Sequence, residues 1–133
     1  MQSLDLVRRN LLERLFSAFN RHDGASVMAC MTDDVVFFAA GGPNICGRKI
    51  SGTDDVRKAF ENVWTEMPDV AWDCTRHEVF GDHGLSEWIF RATTKSGERF
   101  EVEGCDLFTF RDERICQKSA FRKERPLQPA VQG

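Results

Sequence analysis

The N-terminal part of the chain has apolar residues at helical spacing. The first stripe repeats every three or four residues and consists of Leu4, Val7, Leu11, Leu12, Leu15 and Phe19. It predicts an amphipathic helix over about residues 3–21, with Ser3 as its N-cap and Arg8 among the polar residues of the opposite side. Asp23 can cap a short second helix. Thr53 can cap a third, whose buried stripe is Val56, Phe60, Val63 and Trp64. Between them, residues 34–39 are strand-like, and loops follow at 41–44 and 47–52.

From Val70 onward, strand-like runs replace the helical spacing. Four runs, at 70–80, 85–94, 99–110 and 114–121, are separated by short turn sequences. Short connections between long strands predict an antiparallel meander. Helices followed by one long sheet give an α+β fold. We expect the sheet to be strongly curved, to wrap around the three N-terminal helices, and to leave one internal pocket between them.

Length and composition fit one domain. The chain has 133 residues, of which 41% are hydrophobic, so we expect a single domain over 1–123 and a flexible C-terminal tail over 124–133. The net charge is −3 and there is no one-sided basic stripe, which argues against nucleic-acid binding. No apolar run reaches the length of a membrane span, and the polar N-terminus does not resemble a signal peptide, so we expect a cytoplasmic protein.

Cofactor and metal motifs are missing from the sequence. The five cysteines form no CxxC pair, and Cys74, Cys105 and Cys116 fall in strand-like runs, which predicts reduced thiols. His22, His77 and His83 stand at no metal-ligand spacing, and we interpret His77 as structural or exposed. We therefore expect neither a metal ion nor a cofactor.

Asp106 is the strongest candidate for chemistry. Alternation places it on one strand face with Phe100, Val102, Gly104, Phe108 and Phe110. A carboxyl group among phenylalanines must be hydrogen-bonded, paired with a cation, or held in its neutral form. A neutral carboxylic acid would be a useful proton donor, which makes Asp106 a candidate catalytic residue. The alternative is a purely structural carboxylate that pairs with a nearby base or with a helix N-terminus.

The neighbours of Asp106 depend on the turns. Lys95-Ser96-Gly97 fits a three-residue hairpin loop with Gly97 in the left-handed region, and that register puts Trp88, Phe90 and Ala92 on the face of Asp106. The last hairpin allows two registers. One sets Lys118 beside Asp106 and keeps the carboxylate ionised. The other sets Ser119 there, buries Ile115 and Phe121, and leaves Asp106 free to take up a proton.

Several segments together resemble one known family. They are Phe19-Asn20-Arg21-His22-Asp23, the run from Met31 to Phe37, Gly47 to Gly52 with the helix that follows, Met67-Pro68-Asp69-Val70, and the run from Gly104 to Asp112. In order and spacing they resemble the SnoaL-like branch of the nuclear transport factor 2-like superfamily, over nearly the whole chain to about residue 123. The resemblance implies a cone-shaped α+β barrel that dimerises through its outer sheet face and holds a hydrophobic small molecule inside. The expected pocket residues are Leu15, Phe19, Phe37, Ala39, Phe60, Trp64, Trp88, Phe90, Phe108 and Lys118.

The resemblance narrows the chemistry without fixing it. Compared with ketosteroid isomerases only Asp106 matches, since the general-base position falls near Ala39 and the tyrosine position near Leu15. The position of the C-terminal aspartate in limonene-epoxide-type hydrolases is occupied by Ala120 in this chain. SnoaL-like polyketide cyclases use one aspartate as acid and base, and Asp106 fits that role. The leading hypothesis is thus an acid/base isomerase, cyclase or hydrolase. The alternatives are a non-catalytic dimer that binds a ligand or another protein, and a structural association domain with a sealed interior.

Overall fold

The computed structural model describes residues 3–130, apart from the side chain of Cys74. Met1, Gln2 and residues 131–133 of the predicted tail lie outside this range. The helices are α1 (Leu4–Asn20), α2 (Gly24–Ala29) and α3 (Thr53–Glu66). The strands are β1 (Met31–Phe38), β2 (Lys49–Ser51), β3 (Ala71–Phe80), β4 (His83–Thr93), β5 (Arg99–Arg111) and β6 (Arg114–Arg122).

One curved, unclosed sheet carries all of these strands, in the order β2-β1-β6-β5-β4-β3. The predicted α+β class and the meander from β3 to β6 are confirmed. The sheet is mixed rather than wholly antiparallel, because β1 runs parallel to β6, with Phe37 opposite Lys118. Sequence patterns missed this pairing because β1 and β6 lie far apart in the sequence, with the other strands between them. They also missed β2, which lies in the segment predicted as a loop.

The helix starts show which capping predictions hold. The side chain of Ser3 accepts a hydrogen bond from the backbone N–H of Leu6, and that of Asp23 from Ser26, so both predicted caps are confirmed. The predicted Thr53 cap is wrong, since α3 is preceded by Gly52, at φ 88°, and has no side-chain cap. The Thr53 hydroxyl instead donates to the carbonyl oxygen of Asp33 at 3.1 Å, which ties the start of α3 to β1.

The helices cover one face of the sheet, here called the inner face. Phe19 of α1 connects the two long helices to the sheet, with its ring 5.0 Å from Phe60 of α3 and 5.2 Å from Trp72 of β3. Phe37 of β1 packs 5.0 Å from Phe60. Edge-to-face and tilted contacts at these distances are typical of stable aromatic cores. The centre of the molecule is thus an aromatic cluster held between α1, α3 and the inner face.

Arg8 links α1 to the turns of two hairpins, although the sequence suggested a polar, exposed position. It is buried. Its guanidinium donates to the carbonyl oxygens of Asp112 and Gly81, each at 2.9 Å, and to the carboxylate of Asp82 at 3.0 Å. It also lies 5.2 Å from the ring of Phe110. A guanidinium can be buried here because the two turns present acceptors in the directions of its fixed N–H groups.

Part of the predicted tail lies against the sheet. Arg99 and Gln128 exchange backbone hydrogen bonds of 2.8 Å in both directions, and the Arg125 side chain donates to the carbonyl oxygen of Glu101 at 3.2 Å. The segment that follows β6 therefore contacts the first residues of β5.

Candidate functional site

Asp106 lies at the centre of the inner face with no exposed surface. One carboxylate oxygen accepts a hydrogen bond from the Lys118 ammonium group at 2.9 Å, and the other accepts one from the Trp88 indole at 3.0 Å. The residues directly opposite Asp106 on the neighbouring strands are Ser86 and Ala120. Because both are small, the long side chains from the diagonal positions can reach across to the carboxylate. Asp106 is therefore both hydrogen-bonded and paired with a cation.

A β-bulge decides which residue of β6 meets Asp106. The register shifts between Thr109 and Phe110, so that Phe110 lies opposite Ile115 while Phe108 lies opposite Lys118. Ile115 and Lys118 are an odd number of positions apart, yet both are buried, because the extra residue of the bulge restores the inward direction. Of the two registers left open above, the structure has Lys118 beside Asp106, with Ile115 also buried and Phe121 half exposed.

The Lys118 ammonium group lies inside a cage of three phenylalanine rings. Its nitrogen is 4.6 Å from the ring centre of Phe37, 5.5 Å from Phe19 and 5.6 Å from Phe60. Aromatic ring faces attract a cation at such distances, and the attraction increases when water is excluded. One carboxylate and three rings thus surround the charge. The pair Lys118–Asp106 is called the buried ion pair below.

Gly104 makes room for the tryptophan that completes this arrangement. It lies opposite Trp88 on the next strand. A Cβ at Gly104 would stand 2.5 Å from two atoms of the Trp88 ring and 2.5 Å from the carbonyl oxygen of Phe121. The missing side chain allows the indole to lie over β5, where its N–H reaches Asp106.

A second polar contact continues the line of polar groups along the inner face. Ser86 is fully buried, and its hydroxyl lies 2.7 Å from Nδ1 of His77. Burial lowers the pKa of the His77 imidazole, which favours its neutral form. The sequence pattern alone did not single out Ser86, although this residue occupies the same alternating position as Trp88 and Phe90. That alternation is the signal that could have found it.

Most predicted pocket residues lie together on the inner face or on the helices that cover it. The buried ones are Leu15, Phe19, Phe60, Trp64, Trp88, Phe90, Phe108 and Lys118, and the half-buried ones are Phe37 and Ala39. Phe19, Phe37 and Phe60 form the cage around Lys118. Ala39 lies apart from it, beside the loop at 41–47. In the described residues, the three rings of the cage pack against one another, because Phe19 and Phe37 each lie 5.0 Å from Phe60.

A large groove of about 970 Å³ lies beside the loop that follows β1. It is lined by that loop and by β4, β5 and β6, with residues of the inner face such as Trp88 and Ala120 as well as of the outer face such as Glu103 and Cys105. Of the predicted pocket residues, only Ala39 and Trp88 line it. Ile45 and Phe121 contribute exposed apolar surface. The Cys105 thiol also lines the groove, and burial, followed by the nearby charge of Asp106, raises its pKa.

The chain is similar to a known family and to several solved structures. A sequence profile of the SnoaL-like domain matches residues 12–118. No curated protein sequence matches the chain. A proposed polyketide cyclase from Xanthomonas campestris pv. campestris is 16% identical, with 90% of this chain and 92% of that chain covered and a TM-score of 0.80.

Two further structures share the same architecture. A proposed isomerase from Bacillus subtilis is 11% identical, with 92% and 90% covered and a TM-score of 0.77. An LEH-like epoxide hydrolase from M. tuberculosis is 18% identical, with 91% and 86% covered and a TM-score of 0.71. At these identities the likeness extends to the fold alone. In the described part of the chain, none of the helices combines the length and apolar character needed to cross a membrane.

Proposed function

The chain belongs to the SnoaL-like domain family, and we propose that it binds a hydrophobic small molecule on the inner face of its sheet and uses Asp106 for acid/base chemistry. Proteins of one fold can catalyse different reactions or none, so the function depends on the residues of the site. Its structural relatives are named as a cyclase, an isomerase and an epoxide hydrolase. All three names are compatible with a reaction on the inner face of the sheet.

The buried ion pair is the observation that supports this proposal most directly. Removing two charges from water costs several kcal/mol per ion, and well-packed apolar residues often stabilise a core equally well or better. A lysine and an aspartate in the middle of an aromatic cluster are therefore unlike what selection for stability alone would place there. A functional role for the pair explains why the chain has it.

The pair carries groups that suit chemistry next to a carbonyl group. Each oxygen of the Asp106 carboxylate accepts one hydrogen bond and has a further lone pair that could accept another. It can accept a proton from a carbon atom adjacent to a carbonyl. The Lys118 ammonium group can donate to the oxygen that becomes negative. Return of the proton to another carbon gives isomerisation, and attack of the enolate on a second carbonyl gives an aldol-type cyclisation.

Exchange of carbon-bound hydrogen tests this chemistry without the natural substrate. In deuterium oxide, we expect the wild-type protein to accelerate exchange at the carbon adjacent to the carbonyl of 1-tetralone by about 100-fold or more over buffer, the usual range of acid/base catalysis. Proton NMR measures the exchange. The Asp106→Asn/Lys118→Met double variant, in which no lone charge is left buried, should return to the buffer rate.

A matched control separates the inner face from the surface. Glu103 lies on β5 as well, but it is exposed and pairs with Lys123 at 3.0 Å. Glu103→Gln should keep the wild-type exchange rate. If 1-tetralone binds the wild-type protein and exchanges no faster than in buffer, the acid/base role of Asp106 is wrong.

One observation favours the alternative of a non-catalytic binding module. Asp106 and Lys118 satisfy each other's charge, and both are buried, so a ligand must displace part of the aromatic cage before it can reach either group. The partly exposed Phe37 is the ring of the cage that can move most easily. This alternative predicts saturable binding of 1-tetralone without any exchange.

We also propose that the outer sheet face, together with the groove, forms a homodimer interface. Leu107 and Phe121 expose 42% and 50% of their surface there, and apolar residues grouped on one face favour association. Light scattering should give twice the chain mass of 15.2 kDa. Phe121→Arg should give a monomer. Phe80→Arg should not, because Phe80 is 55% exposed at the end of β3, away from the groove. A wild-type monomer at micromolar concentration would contradict the dimer.

A further inference from the structure

We infer that the indole N–H of Trp64 is a recognition group for a neutral oxygen acceptor, such as a ketone or lactone carbonyl, on the ligand. This inference rests on the proposed binding function. Trp64 is 8% exposed, and Nε1 is the buried side-chain nitrogen or oxygen in residues 3–130 that has no hydrogen-bond partner. A buried donor without an acceptor costs about 1–3 kcal/mol. Because other buried polar groups of the site are hydrogen-bonded, we interpret the free Trp64 N–H as a donor whose acceptor belongs to the ligand.

The surroundings of Trp64 connect it to the buried ion pair. Its ring lies 6.3 Å from Phe19, and the Lys118 ammonium group lies 5.5 Å from the same Phe19 ring. Phe19 is therefore a common neighbour of Trp64 and Lys118. A ligand that replaces contacts of the Phe19 ring can reach both.

The indole is also held in position. His22 stacks on it, with ring centres 5.4 Å apart and an angle of 16° between the planes. The His22 ring nitrogen Nε2 lies 3.1 Å from the carbonyl oxygen of Val70, to which it can donate. These contacts restrict rotation of the Trp64 ring toward the surface. The N–H is thus preorganised, in contrast to a donor that could turn to water.

Charge and polarity identify the kind of acceptor. Lys118 already pairs with Asp106, so the buried ion pair is neutral overall and a neutral ligand adds no further buried charge to the site. A buried water needs two to four polar partners, whereas the Phe19 ring that packs on Trp64 offers none. A neutral carbonyl oxygen needs only one donor. Its aromatic or alicyclic body can pack against the surrounding rings.

Nitrogen–proton NMR spectra can observe this N–H directly. The chain has three tryptophans, and Trp64→Phe identifies the Trp64 indole signal. On titration with 1-tetralone, we expect that signal to move downfield, because hydrogen bonding deshields the proton. The Trp88 signal should show no downfield shift specific to the carbonyl, because its N–H already donates to Asp106, and should therefore move equally with 1-tetralone and with tetralin. Tetralin, which lacks the carbonyl but has the same ring system, should leave the Trp64 signal unmoved apart from ring-current effects that both compounds share.

Affinity gives the second measurement. Trp64→Phe should weaken binding of 1-tetralone about tenfold, the value of one net hydrogen bond, and should leave the affinity for tetralin unchanged. Equal affinities for 1-tetralone in both proteins, with an unmoved Trp64 signal, would overturn the inference and leave the binding proposal intact. If 1-tetralone fails to bind the wild-type protein, both fail. Should Trp64→Phe not fold, the wild-type signal can be assigned through its proximity to the His22 ring.

Discussion

Replacement of Asp106 by asparagine is expected to lower the free energy of unfolding by about 3–5 kcal/mol, because it leaves the Lys118 charge buried without its counter-ion. The nearest other groups to that charge are three phenylalanine rings, which cannot replace a carboxylate. Urea unfolding followed by circular dichroism measures the loss. This expectation also means that a loss of activity in Asp106→Asn alone would not distinguish catalysis from folding.

The double variant resolves that ambiguity. Lys118→Met keeps an unbranched apolar chain inside the aromatic cage and removes the charge. We expect Asp106→Asn/Lys118→Met to be at least about 2 kcal/mol more stable than the sum of the two single losses predicts, since coupled groups are not additive. The exposed pair Lys123–Glu103 provides the control, with 3.0 Å between its atoms and side chains 74% and 70% exposed.

Glu103→Gln should cost less than about 1 kcal/mol, as is usual for surface pairs. The two variants change the same strand and remove the same kind of partner, so that burial is the main difference between them. A loss in Asp106→Asn as small as that in Glu103→Gln would show that Lys118 reaches solvent in solution.

Gly104→Ala should be the second most damaging substitution, with a loss of about 3 kcal/mol, at the upper end of what overpacking costs. The added Cβ would stand 2.5 Å from both the Trp88 ring and the Phe121 carbonyl oxygen. The backbone oxygen cannot move without disturbing the β5–β6 ladder. The indole must therefore shift, which weakens its hydrogen bond to Asp106. Urea unfolding gives the loss, and the Trp88 indole NMR signal reports the broken hydrogen bond.

Gly41→Ala is the matched control for that substitution. A Cβ at Gly41 meets no atom within 4 Å, so this change should stay within about 0.5 kcal/mol of the wild-type stability. An equally mild Gly104→Ala, with the Trp88 signal unmoved, would mean that the indole does not lie over β5.

The inward direction of Asp106 could be predicted from sequence because it depends only on alternation within one strand. The position of Lys118 could not. The bulge near Thr109 adds one residue to the count along β6, so that Ile115 and Lys118 share the inner face. Alternation alone would place Ile115 and Lys118 on opposite faces of β6. The turn at 112–113 gives no warning of the bulge.

Other differences come from contacts between distant parts of the chain. Helical periodicity placed Arg8 on the polar side of α1. It could not show that two hairpin turns, far away in the sequence, bring acceptors to the guanidinium. The pairing of β1 with β6 is of the same kind. The predicted pocket residues mostly lie on the inner face or on the helices that cover it, but their role as a binding site stays a prediction, as does the catalytic role of Asp106.

The Arg8 contacts have a consequence for the order of assembly. Two of their acceptors, Gly81 and Asp112, lie 73 and 104 residues further along the chain. During synthesis on the ribosome, the first helix must wait for nearly the entire domain to emerge before its guanidinium finds these partners. Final docking of that helix is thus a late step in the assembly of the domain, possible only after both hairpin turns have formed.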